Sequence, residues 1–91
     1  MKSQALHSFW KHYWALPPEV RQRARVAYRL WQNNPAHPSL VFKRVKNNQP
    51  IYSARIGLAY RALGLLKDDT VTWFWIGDHT EYDHLLRGGG D

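Results

Sequence analysis

Tyr52-Ser53-Ala54-Arg55-Ile56-Gly57-Leu58-Ala59-Tyr60-Arg61-Ala62-Leu63, residues 52–63 of a 91-residue chain, is the stretch on which the fold turns. Two runs of apolar and strand-forming residues flank Gly57-Leu58-Ala59, and a tight turn there lays them side by side as a hairpin. Arg55 and Arg61 then fall on neighbouring strands. Two guanidiniums converging on one sheet face are bidentate donors for phosphate oxygens and stabilise charge developing at phosphorus. The plainer alternative is two solvated arginines.

Outward from the hairpin, residues 40–45 and 51–56 read as strands separated by the turn-rich Asn47-Asn48-Gln49-Pro50, and residues 59–66 as a third. Lys67-Asp68-Asp69-Thr70 is a turn into residues 71–76, which are apolar apart from Thr72, as in a mid-sheet strand covered on both faces. Trp73 and Trp75 alternate with Phe74, so one face packs against helices, with base stacking as the lesser alternative. Toward the N-terminus, residues 3–14 carry Leu6, Phe9, Trp10, Tyr13 and Trp14 as an aromatic stripe on a short helix that Leu16-Pro17-Pro18 ends. A second helix is predicted over residues 18–32, with Pro18 and Glu19 in its first turn. Val20, Ala24, Ala27 and Trp31 form its apolar stripe, joined by Tyr28, while Arg21, Arg25 and Arg29 recur every four residues on another side. Asn33-Asn34-Pro35-Ala36-His37-Pro38 breaks it. After Gly77, residues 78–86 suit one or two helical turns, and residues 88–91 are expected as a flexible tail. The prediction is one α+β domain over residues 1–87, with two N-terminal helices packed on a twisted antiparallel sheet of about four strands and a short C-terminal helix.

Five tryptophans and a 44% hydrophobic composition supply the buried area that a short chain needs for one core. The formal charge of +6 favours a polyanionic or acidic partner. With no cysteine, disulfides and thiolate zinc sites are excluded, and a cytoplasmic home is the simpler expectation. The N-terminal region has no apolar run of signal-peptide or membrane length, so no membrane partner is expected. His7, His12, His37 and His84 lack ligand spacing, so neither metal nor cofactor is expected.

His79 and Tyr82, at i and i+3 just beyond the central strand, share one side of a helical turn. An imidazole and a phenol there suit proton transfer in phosphodiester cleavage, or else serve as a turn histidine and a tyrosine capping the core. Asp78, Glu81 and Asp83 nearby are capping or hydrogen-bonding groups, one of them placed to orient His79. Arg21, Arg25 and Arg29, with Lys43, Arg44 and Lys46, form either a solvated face or an RNA-backbone footprint.

These motifs together resemble the RelE/ParE superfamily of toxins from bacterial type II toxin–antitoxin systems, over residues 9–86. The likeness rests on Leu16-Pro17 before an arginine-rich helix, Asn34-Pro35-x-x-Pro38-x-Leu40, Tyr52-Ser53-x-Arg55-Ile56, Tyr60-Arg61-Ala62-Leu63 and Trp75-Ile76-Gly77-x-His79-x-x-Tyr82. Their order and spacing carry it, since no one piece is specific. The resemblance implies a toxin that cleaves mRNA on the ribosome without a metal, by attack of the 2′-hydroxyl on the adjacent phosphate, and that a cognate antitoxin protein neutralises. Carried over, Arg61 holds the scissile phosphate, Arg55 is a second cation, and His79 and Tyr82 occupy acid–base or stacking positions. Where cleavage-competent relatives often carry a further basic residue, this chain has Ser53. ParE-like relatives instead inhibit DNA gyrase without a nuclease site, so the resemblance leaves mRNA, gyrase and a nontoxic binding role all open.

Overall fold

Asp68 and Asp69 both take positive φ, 51° and 62°, the backbone that a two-residue hairpin turn needs and that aspartate tolerates. That turn closes β4 (Tyr60–Lys67) onto β5 (Thr70–Asp78), and Gly57, at φ 62°, sits in the turn that closes β3 (Ile51–Ile56) onto β4. The computed structural model describes residues 1–88; the remainder of the tail expected over residues 88–91 lies outside them. Flanking the two hairpins are β1 (Lys2–Ala5) and β2 (Lys43–Arg44), giving a five-stranded sheet of order β1-β5-β4-β3-β2. The helices are α1 (His7–Trp14), α2 (Pro18–Asn33) and α3 (His79–Gly88), with a 3-10 turn at Pro38–Leu40. The α+β arrangement of helices against one sheet agrees with the sequence-based expectation.

Two local expectations are corrected. Residues 3–5 do not begin the first helix, because β1 pairs parallel with β5 from Lys2↔Thr70 to Ala5↔Trp73. These residues carry no apolar stripe that a helix would bury, and the edge of β5 offers unpaired backbone groups. Gln4 Nε2 adds a 2.9 Å hydrogen bond to Thr72 Oγ1, and Leu6 N–H donates to Trp73 O at 2.9 Å just before the helix. Residues 40–45 are not one strand either. Pro38 starts the 3-10 turn, Val41 takes a left-handed φ of 43°, and Leu40 is buried in the core at 2% exposure. Only Lys43 and Arg44 pair, making a short, charged edge strand of the kind that resists further pairing.

The sheet is covered on both faces. Tyr13, Leu16, Val20, Ala24 and Trp31 pack with Ala54, Ile56, Ala62, Val71 and Trp73 on one side; Leu63, Trp75 and Tyr82 cluster on the other. Trp73 and Trp75 therefore lie in different cores. The cause is a bulge: Leu63 pairs with Trp75 but Gly64 pairs with Trp73, so Phe74 is an extra residue that resets the alternation. Gly64 is required at that point. A Cβ there would lie 2.5 Å from Val71 Cγ1 and 2.9 Å from Trp73 Cε3. Trp31 meets Trp73 edge-on, with ring centroids 5.5 Å apart, which locks α2 onto the sheet. Among the described residues, no helix is long and apolar enough to cross a membrane.

Candidate functional site

The site lies on the α3 side of the sheet. Arg55 and Arg61 are direct cross-strand partners, and their neighbours Ala54, Ile56 and Ala62 point into the α2 core, so both side chains leave their strands on the opposite face, while Arg55, at the sheet's end, also borders the cleft lined by Arg23 and Leu30 of α2. Each is half-buried and anchored to a carbonyl of the intervening turn. Arg55 Nε donates to Gly57 O at 3.0 Å; Arg61 Nη1 donates to Tyr60 O at 2.8 Å and lies 3.4 Å from Leu58 O. A guanidinium has five N–H donors, so both keep donors for a further acceptor.

Helix α3 delivers the remaining groups to this face. Asp78 Oδ1 accepts the Glu81 N–H at 2.8 Å, a side-chain cap on the first turn. The His79 N–H donates to Ala59 O at 2.7 Å, which ties the start of α3 to the arginine-bearing turn. The His79 imidazole stacks on the Tyr82 ring, with centroids 6.1 Å apart and planes at 22°. The Arg61 guanidinium carbon lies 5.9 Å from the centroid of the same ring. Tyr82 thus carries a cation and an imidazole on its π-system. Its hydroxyl, however, points inward: it donates to Ser53 Oγ at 3.2 Å, with Tyr82 8% and Ser53 3% exposed. His79 is the accessible member, its side chain 52% exposed, and its Nε2 is 3.3 Å from Asp83 Oδ2.

Residues to which the sequence assigned no role in the site frame these groups. Ser53 anchors the phenol, and Ala59 anchors the helix. Gly77 pairs with Arg61, and a Cβ on it would lie 2.4 Å from Trp75 Cζ2, so the indole lies across the backbone beside Arg61. The signal for Gly77 was a lone glycine within an aromatic strand, which marks a close approach. For Ser53 the sequence held only a small polar residue inside a strand; its register partner Leu63, in the α3-side core, shows its burial.

The six basic residues read from the sequence as a solvated face or backbone footprint divide between two surfaces. Lys43 pairs with Ser53 and so shares the arginine face, and Lys46 Nζ donates to Leu86 O at 3.2 Å, close to the C-terminal end of α3. Arg44 points to the other face and donates to Lys46 O and Asn47 O at 2.8 and 3.1 Å. Arg21, Arg25 and Arg29 lie on α2, across the sheet. Arg21 donates to Leu16 O at 2.6 Å and lies over Trp14, and Arg25 donates to the Tyr13 hydroxyl at 2.7 Å. Between α1 and α2 opens an apolar groove of about 670 Å³, lined by Phe9, Trp10, Tyr13, Tyr28 and Trp31, with Arg25 and Arg29 beside them. Trp10 and Trp14 remain exposed, so only part of the predicted aromatic stripe enters the core. Among the described residues, no group of histidine and carboxylate side chains is placed to hold a metal ion.

Comparison with known proteins places the chain in a family. The ParE-like toxin domain matches residues 18–84. No curated protein sequence matches the chain. Among solved structures, the RelB–RelE antitoxin–toxin complex of Methanococcus jannaschii is similar at 22% identity and a TM-score of 0.70, covering 88% of this chain and 95% of that one. YafQ from E. coli superimposes at 12% identity and a TM-score of 0.71, covering 89% and 96%. The RelBE2 toxin–antitoxin complex of Mycobacterium tuberculosis has 22% identity and a TM-score of 0.65, covering 86% and 96%. At these identities the structural matches speak for the fold, while the domain match spans most of the sequence. The chain belongs to the ParE-like toxin domain family of the RelE/ParE superfamily.

Proposed function

We propose that this protein is the toxin of a type II toxin–antitoxin pair and that it cleaves mRNA on the ribosome in the cytoplasm. The observation that carries the reading is the grouping of Arg61 and the exposed His79 around one Tyr82 ring, with Arg55 directly across the ladder. Arg61, with Arg55 behind it, holds the non-bridging oxygens of the scissile phosphate and offsets charge as it develops. The 2′-oxygen attacks phosphorus, an O2′–P bond forms and the P–O5′ bond breaks. His79 takes the proton from the 2′-hydroxyl and returns it to the departing 5′-oxygen, leaving a 2′,3′-cyclic phosphate and a 5′-hydroxyl. Tyr82 contributes its ring as a platform, since its hydroxyl is committed to Ser53. Lys43 and Lys46 add positive potential along the strand's path, while the α2 arginines lie outside it.

The apolar groove between α1 and α2 is where the antitoxin docks in this reading. Its aromatic lining and nearby Arg25 and Arg29 fit an amphipathic segment with acidic residues, which matches the +6 charge of the chain. A second reading, inhibition of DNA gyrase without cleavage, is favoured by one observation: the family match is to the ParE-like domain. The test is induction without antitoxin, with transcriptome-wide mapping of mRNA 5′ ends beside an Arg61→Ala/His79→Ala variant whose folding is checked by circular dichroism. New ends inside translated frames that vanish in the folded variant are expected. Growth arrest with intact messages would discard the nuclease reading, and a supercoiling assay with purified gyrase then decides the second.

A further inference from the structure

We infer that Asp83 is a positioning residue for His79: its carboxylate holds the imidazole flat against Tyr82 and turns Nδ1 toward the phosphate bound at Arg61. The substrate in this inference rests on the nuclease reading; the geometry does not. An exposed histidine at the first position of a helix has several rotamers open to it, and ordering it requires a partner. Asp83 is that partner. One turn along α3, its Oδ2 lies 3.3 Å from Nε2, while the ring planes of His79 and Tyr82 stay within 22°. The nitrogen that faces a carboxylate carries the hydrogen, so the lone pair that exchanges a proton with substrate is on Nδ1.

The other charged groups around the ring do not duplicate this contact. Asp78 is spent on the Glu81 N–H, Glu81 stands exposed in the first turn, and Arg61 approaches from β4 over the Tyr82 ring. Asp83 acts through His79 and touches no substrate.

The experiment compares wild type, Asp83→Ala and Asp83→Asn by two readouts. Nuclear Overhauser contacts between the His79 and Tyr82 ring protons report the stack; kcat and KM for cleavage of ribosome-bound mRNA report the chemistry. In Asp83→Ala the ring contacts disappear and kcat falls about tenfold while KM stays within about twofold, the signature of lost positioning. Asp83→Asn, whose Oδ1 can stand where the carboxylate oxygen faces Nε2, retains the ring contacts and recovers part of kcat. Persistence of both the stack and kcat in Asp83→Ala overturns the inference, as does loss of the stack with kcat unchanged. If wild type cleaves no RNA, the nuclease reading fails by itself, and the ring contacts still decide whether Asp83 holds His79.

Discussion

The buried bond between Tyr82 and Ser53 separates two roles that a tyrosine in this place can have. Its oxygens are 3.2 Å apart, and the residues are 8% and 3% exposed, so neither partner can turn to water when the other is removed. A neutral hydrogen bond is worth about 1 kcal/mol net, but a buried group left unpaired costs about 1–3 kcal/mol. Tyr82→Phe and Ser53→Ala should therefore each destabilise the fold by about 1–2 kcal/mol, and the double variant by little more than one of them, a coupling of about 1 kcal/mol. In a domain of this size each kcal/mol moves the thermal midpoint by about 4–8 °C, well within reach of circular dichroism. Urea denaturation of the four proteins supplies the free energies. Because Tyr82→Phe keeps the ring that His79 and Arg61 share, it should also retain growth arrest in cells, whereas Tyr82→Ala should lose it. Strictly additive costs would refute the pairing, and a phenylalanine variant as inert as the alanine one would show that the hydroxyl works on substrate.

Two further outcomes test the framework around the site. Gly77→Ala places a methyl 2.4 Å from Trp75 Cζ2 and must push the indole off the strand beside Arg61; a loss of about 1–3 kcal/mol is expected, with a shift in tryptophan emission, and unchanged stability would contradict the close approach. Trp31→Ala removes a ring only 2% exposed that packs edge-on to Trp73, and should cost about 3–5 kcal/mol by urea denaturation, a large part of the stability of a small domain.

What the amino-acid sequence determined by itself was local. The hairpin about Gly57 set Arg55 against Arg61, a register a tight turn leaves little freedom to change. The 3.6-residue stripe through Val20, Ala24 and Trp31 placed α2, and the i, i+3 spacing of His79 and Tyr82 put both on one side of α3. Each of these depends on neighbours a few residues away, so propensity and period are enough. Tertiary structure decided whatever joins distant segments. Residues 2–5 became a strand because β5, some seventy positions on, had an open edge for them. The bulge at Phe74 sent Trp73 and Trp75 to opposite cores, against the simple alternation of their strand. The Tyr82 hydroxyl turned inward because Ser53 lay beneath α3, and the basic residues parted because α2 covers one face of the sheet while Lys43, on its edge strand, shares the other face with Ser53. Pairing partners across a sheet are chosen by backbone hydrogen bonds and burial summed over the whole chain, and no window of sequence contains that sum.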